Sequence, residues 1–308
     1  MGRRVLVLAL AGLVLAAAAA GFVLRARPQA GPAAEDVGLG GLLFRDMKAG
    51  NRLAVLRDGR RVVSARQCMR FYAAARTGVC LHDDGGLIPS YSAEILDARL
   101  RPVRTLAVAG TPSRARVSPS GNLVAWTMFV TGDSYTGVDF TTRTSVLDLR
   151  GGDPVDLETY ALRGVARDRD RNIWGVTFAD DGTFYATLAT RGRTHLVRGD
   201  VAARTLTALR ENVECPSLSP DGTRLAYKKR VRSIASGSPW EPHVLDLATM
   251  TDRPLAERRS VDDQIAWQDD RTLLYAVARE GGSDLWTVPA DGTGAPRTVV
   301  RDALSPSP

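Results

Sequence analysis

Between residues 114 and 300 the chain repeats one alternation. A short apolar run meets a tight polar turn, a second run alternates apolar with polar positions, and two more strand-like runs follow. The opening pair recurs as RARVSPSGNLVAW (114–126), WGVTFADDGTFYATL (174–188), CPSLSPDGTRLAY (215–227) and QIAWQDDRTLLYAVA (264–278). Short runs of period two bounded by Ser, Pro, Asp and Gly predict strands joined as hairpins. Gly121, Gly182 and Gly222 hold the turn position where a left-handed backbone costs little, and Arg271 replaces glycine in the last copy. The steps between these positions are 61, 40 and 49 residues, the period of a four-stranded propeller blade.

Each pair is followed by a third strand and an outer one: SVLDL (145–149) with PVDLE, HLVRG (195–199) with RTLTAL, HVLDL (243–247) with RPLAE, and DLWTV (284–288) with RTVV. Polar residues concentrate in the last run of each set, as an exposed sheet edge requires. Upstream, MRFYAAARTGVCLHDD reads as strand, turn at Thr77-Gly78 and strand, with AEILDARL and VRTLAVAG outside it. Before that, GGLLFRD, NRLAVLR and RRVVSA supply three strands with no inner strand ahead of them. The missing strand is expected from the C-terminal end, around Val299 to Leu304, so that both ends of the chain close one ring. The expected fold is all-β, a single six-bladed β-propeller over residues 42–304, with five or seven blades as the neighbouring counts.

Ahead of the propeller, Arg3 and Arg4 precede an uncharged apolar run from Val5 to Leu24. Residues 1–27 therefore read as a signal peptide or a membrane anchor, and 28–41, rich in Pro, Ala and Gly, as a linker. Export places the folded part in an extracellular compartment or at the outer face of the cytoplasmic membrane. The formal charge of +7 comes from arginines scattered singly among acids, with only three lysines. This describes a mixed solvated surface, and no nucleic-acid partner is expected.

SPDGTRLAY and its relatives resemble the WD-type repeat of the TolB-like β-propellers of bacterial envelopes. The phrases NIWGVTF (172–178), VECPSLSPDG (213–222) and VDDQIAW (261–267) are similar to those of actinobacterial exported TolB-like translocation proteins. The resemblance implies an exported β-propeller of the bacterial envelope, a label rather than a mechanism. TolB itself carries a mixed α/β domain before its propeller, for which this chain leaves no room between Leu24 and Gly41, so its partners are not carried over.

For chemistry, the sequence has no G-x-S-x-G nucleophile elbow. Its three histidines, His82, His195 and His243, fall in different blades and read as strand residues rather than as a triad or a metal site. Cys68 and Cys80 are a candidate disulfide, because export implies an oxidising compartment and the loop is short. A turn at Thr77-Gly78 would instead set Cys80 opposite residue 75, too far from Cys68. Either the bond is absent or Met69 to Arg76 is a loop. Cys215 reads as a small buried hydrophobe.

The remaining polar set precedes the inner strands: Asp170 and Asn172, Asn212 and Glu214, and Asp262, Asp263 and Gln264. In a propeller these approaches converge on one mouth of the central channel, where such a ring could hold a cation, a basic peptide or a hydroxylated ligand. Alternatively the acids cap turns and pair with Arg167, Arg169, Arg171, Arg258 and Arg259. Two longer loops, Phe129 to Thr142 and Ser233 to Pro242, are candidate recognition elements. The expectation is a monomeric, non-catalytic binding or scaffolding module for an envelope protein or peptide, without a cofactor. Its competitors are a propeller lyase, lactonase or glycan hydrolase using the mouth acids with a divalent cation, and a membrane-anchored sensor ectodomain.

Overall fold

The computed structural model of the protein describes residues 37–130, 141–166, 168, 170–231 and 240–308. The N-terminal apolar segment, both candidate recognition loops over most of their length, Arg167 and Arg169 lie outside the described residues. Among the described residues no helix is long and apolar enough to cross a membrane.

Six sheets, each a blade and antiparallel apart from one added strand in the fourth, follow one another along the chain. Blade 1 holds β1 (Leu42–Asp46), β2 (Arg52–Arg57) and β3 (Arg60–Gln67); blade 2 holds β4 (Arg70–Ala74), β5 (Thr77–Asp83), β6 (Tyr91–Leu96) and β7 (Pro102–Val108). Blade 3 is β8 (Thr111–Val117), β9 (Leu123–Val130), β10 (Thr141–Asp148) and β11 (Val155–Asp156). Blade 4 is β13 (Arg171–Phe178), β14 (Thr183–Thr190), β15 (Arg193–Asp200) and β16 (Thr205–Glu211), with β12 (Ala161–Arg163) added outside β16. Blade 5 is β17 (Glu214–Leu218), β18 (Arg224–Arg230), β19 (Trp240–Asp246) and β20 (Asp252–Pro254); blade 6 is β21 (Ala266–Trp267), β22 (Thr272–Arg279), β23 (Gly282–Pro289) and β24 (Arg297–Val300). The fold is the expected six-bladed all-β propeller.

The middle strands are apolar nearly throughout, because each blade is covered on both faces by its neighbours. Leu123 to Met128 of β9 are all buried. Core clusters accordingly form between successive blades, as where Leu123, Ala125 and Val146 of blade 3 pack with Ile173, Phe184 and Leu188 of blade 4. Two buried tyrosines recur at matching strand positions and each finds an acid. Tyr227 Oη donates to Asp252 at 2.9 Å and Tyr275 Oη to Glu257 at 2.7 Å.

Ring closure comes from β25 (Ala303–Ser307), which pairs with β1 as the inner strand of blade 1. Val299 and Val300 belong instead to β24, so closure begins a few residues later than the pattern suggests. Ser307 also fastens β25 to blade 2: its hydroxyl accepts from Ala73 N at 2.9 Å and donates to Ala73 O at 3.3 Å.

Three local expectations are corrected. The β4–β5 register pairs Ala74 with Thr77 and Phe71 with Cys80. The turn is therefore Ala75-Arg76, with Ala75 in the left-handed region at φ 51°, and not Thr77-Gly78. That shift removes the objection to a disulfide, and Cys68 and Cys80 are bonded with their Cα atoms 5.4 Å apart. Gly182 does not take a left-handed backbone as Gly121 (φ 80°) and Gly222 (φ 73°) do. Asp180 organises that turn, accepting from Gly182 N at 2.7 Å and Thr183 N at 2.6 Å. Finally, the outer run PVDLE is a strand only at Val155–Asp156, and a 3-10 turn over Leu157–Thr159 follows.

That turn brings Glu158 against blade 3, where both carboxylate oxygens accept from Thr144 N at 3.1 Å and Oε1 also accepts from Thr142 Oγ1 at 3.2 Å. Burial pushes Glu158 up to about 7, although the Thr144 N–H favours its ionised form. The folded protein thus keeps this proton over a range in which the unfolded chain has lost it. Its stabilising contribution is complete below about pH 4.5 and is lost as pH rises through 7. Melting temperatures at pH 5 and pH 8 are expected to differ less in Glu158→Gln than in the wild type; equal differences would contradict the assignment. Separately, Cys80→Ala is expected to lower the unfolding free energy by about 3 kcal/mol, as for a loop of this size. Denaturant titration of the oxidised and reduced wild type should reproduce the same gap, and no gap would show that the bond contributes nothing.

Candidate ligand site at the channel mouth

The inner strands β25, β4, β8, β13, β17 and β21 line the channel. All are entered from one face of the ring, and the turns that leave them lie on the other. On that far face the Asp-Gly turns serve structure: Asp181 Oδ2 accepts from Asn122 Nδ2 at 2.8 Å, tying blade 4 to blade 3. Asp221 N donates to Asp270 Oδ1 at 2.9 Å, tying blade 5 to blade 6.

The seven polar residues expected at the mouth are all at the entrances to β13, β17 and β21, but their side chains do different things. Asn172 is turned toward blade 3 and accepts from Thr142 N at 2.8 Å, with Asp170 Oδ1 accepting from its Nδ2 at 3.4 Å. Asn212, at φ 59°, braces the neighbouring hairpin through Arg230 N (2.9 Å) and Arg230 O (3.0 Å). Asn172 and Asn212 thus hold backbone, and Asp170 steadies Asn172.

Asp263 and Gln264 line a cavity at the mouth, while Glu214 and Asp262 stand at the entrances to β17 and β21. Gln264, 8% exposed, crosses the channel: Nε2 donates to Val176 O at 3.1 Å and Pro216 O at 2.9 Å, joining the inner strands of blades 4 and 5. Asp262 receives Lys228 Nζ at 2.5 Å. Lys228 is buried and also stands over the Trp240 ring at 4.7 Å. Glu214 lies opposite Lys228 in the strand register. Burial pushes its carboxyl up, while Lys228 and Arg230 favour ionisation. Asp263, 9% exposed, has Arg70 Nη1 at 3.8 Å, and its Oδ2 has no hydrogen-bond partner among the described residues.

The acids do not form a ring. Among the described residues, neither Asp262 nor Asp263 pairs with the arginines adjacent in sequence. Arg259 goes to Glu257 at 2.5 Å and over the Trp286 ring at 3.7 Å, and Arg171 donates to Tyr160 O at 3.1 Å. Asp262 takes Lys228 of the adjacent blade 5, and the arginines that approach the two acids come from remote blades. Arg70 is in β4 and Arg114 in β8, and Arg114 Nη2 donates to Asp262 O at 3.4 Å. Arg45 of β1 donates to Met69 O at 2.5 Å, and Arg116 of β8 reaches Ser217 Oγ and Ile265 O, each at 3.2 Å, with its guanidinium 4.2 Å from the centre of the Tyr72 ring. The arginines of the inner strands were the signal the sequence reading passed over: in RARVSPSG two of them alternate within an otherwise buried strand.

Between Arg70, Arg114, Arg116, Asp263 and Ser305 lies a cavity of about 30 Å³, enough for one or two water molecules or a small polar group. Cys215, the free thiol, is buried behind it in contact with Arg114. Cys80, His82 and Glu94 cluster elsewhere, but the disulfide occupies the Cys80 sulfur and Glu94 is paired with Arg66 at 2.9 Å. That donor set does not suit a metal ion.

No protein-family model matches the chain, and no curated protein matches its sequence. Among solved structures it is similar to TolB from Acinetobacter baumannii (TM-score 0.61, 15% identity, covering 86% of this chain and 65% of that one). The likeness is one of fold. A protein described as TolB from Agrobacterium tumefaciens (TM-score 0.54, 11% identity, covering 83% and 87%) and a chain of a nidogen/laminin complex (TM-score 0.55, 11% identity, covering 86% and 97%) share the propeller. So does a puromycin-hydrolysing peptidase from Mycobacterium tuberculosis (TM-score 0.51, 16% identity), of which this chain covers 43%. The chain thus spans less than two thirds of the length of the Acinetobacter TolB, and its architecture is TolB-like.

Proposed function

We propose that the protein is an exported, non-catalytic β-propeller that binds a protein or peptide of the bacterial cell envelope at its channel mouth. The observation carrying this reading is the unmet hydrogen-bonding capacity gathered there from different blades. Arg45 Nε, Arg114 Nε, Arg116 Nε and Asp263 Oδ2 are buried without partners among the described residues. Such groups cost free energy unless water or a ligand satisfies them, so they are available to a ligand that displaces water. The Cys68–Cys80 bond supports export, since disulfides persist in oxidising compartments, as does the apolar run from Val5 to Leu24. The phrases resembling exported TolB-like proteins support an envelope setting.

Enzymatic use of the acids with a divalent cation is the competing reading. It is disfavoured by Lys228, which already supplies positive charge to Asp262 and Glu214. The full chain bearing Thr111→Trp, a bulky substitution at the exposed start of β8 on the mouth face, tests the proposal. Affinity capture from intact envelopes is expected to lose partners relative to the wild type and to a far-face control, Arg60→Ala. Equal recovery with all three proteins would overturn the mouth as the binding site.

A further inference from the structure

The three arginines nearest the cavity outnumber its acids. Asp262 is engaged by Lys228, and its charge also reaches Arg70 and Arg114; Asp263 is the carboxylate in the cavity wall, acting on Arg45, Arg70 and Arg114. Among the described residues Arg70 has one ionic contact, to Asp263 at 3.8 Å, and no hydrogen bond. Its planar fork of donors is therefore unspent. Arg114 spends its two terminal nitrogens on Ser113 O (2.9 Å) and Asp262 O (3.4 Å), leaving Nε buried and unpartnered. Arg116, 5% exposed, likewise keeps an unpartnered Nε behind them. Burial and the charge of Arg70 push Arg45 below the usual arginine range; burial does the same to Arg70. Arg114 differs: although burial opposes its charge, Cys215, Asp263 and Asp262 hold it above the usual arginine range. The incompletely compensated cations are therefore Arg45 and Arg70, and such charge in a partly desolvated site favours an anion.

We propose that this cavity receives a single carboxylate of an acidic peptide, held by Arg70 and Arg114; the proposal rests on the reading of the mouth as the binding site. The cavity is small and lined by Arg70 and Arg114, and paired guanidinium forks are the donors that match a carboxylate. Asp263 sets the threshold, because its charge competes for the same arginines. The loop between β5 and β6 opens on the same face and carries Leu87 and Ile88, both strongly exposed, which offers apolar contact to the residues next to the bound carboxylate. The carboxylate has two sources, an Asp or Glu side chain or a peptide C-terminus, and the chemistry of the cavity is common to both.

Three pentapeptides, each carrying the same uncharged fluorophore at its N-terminus, distinguish these cases on the full chain. The first is a tetra-alanine run ending in a glutamate amide, the second is penta-alanine with a free carboxy terminus, and the third is a neutral tetra-alanine run ending in a glutamine amide. At least one acidic probe is expected to bind tenfold or more tightly than the neutral one, and which does so names the source. Arg70→Gln, at a side chain 27% exposed, should lose that preference, while Asp263→Asn should strengthen binding of the same probe severalfold. Arg114→Gln should act as Arg70→Gln does; if it fails to fold, the other two variants carry the test. Equal binding of all three peptides, or acidic binding unchanged by both Arg70→Gln and Asp263→Asn, would overturn the carboxylate site. If envelope partners are still lost with Thr111→Trp while the probes bind equally, the mouth stands as a binding site and the carboxylate assignment falls.

Discussion

Everything in this fold hangs on the pairing of β25 with β1. A propeller blade has one edge at the axis and one at the rim, and holding the first and last blades together closes the ring and shields their edges. Here the last strand of the chain becomes the innermost strand of the first blade, and Ser307 hydrogen-bonds the backbone of blade 2 as well. The same strand places Ser305 and Pro306 in the wall of the mouth cavity. Closure and the candidate site are thus built by one segment, and a change in the register of β25 would reshape both.

The channel that results is narrow and polar without being an open pore. Gln264 spans it by joining carbonyls of blades 4 and 5, and Arg116 fills the space behind, stacked on Tyr72 and bonded to blades 5 and 6. These contacts satisfy polar groups that the inner strands turn toward the axis. At the mouth, Arg70 and Asp263 approach each other loosely. Their incomplete pairing is what separates this end of the channel from the far face, whose Asp-Gly turns are internally satisfied.

The architecture was legible because each blade buries both faces against its neighbours and so writes its apolar runs and turns at a regular period. Even the sharing of a blade between the chain ends could be read from GGLLFRD, which begins a blade without an inner strand. What escaped was local. An Ala75-Arg76 turn has no sequence mark of the kind Thr77-Gly78 shows, and that two-residue slip moved Cys80 away from Cys68 on paper. The short strand β12 pairs in parallel with β16 from a stretch without alternation. At the mouth, the acids stood out because they cluster in sequence, whereas Arg45, Arg70 and Arg114 come from three blades and looked like single surface arginines. Proximity created by the ring, rather than residue type, makes them a set.

The central claim is that the mouth is an anion receptor assembled across blades. A crystal structure of the full chain with the tighter-binding acidic pentapeptide tests it most directly. The expected result is a carboxylate in the cavity within hydrogen-bond distance of both Arg70 and Arg114, with Asp263 displaced from Arg70. A peptide bound elsewhere on the propeller, or a cavity closed by a direct Arg70–Asp263 pair with the peptide present, would contradict it.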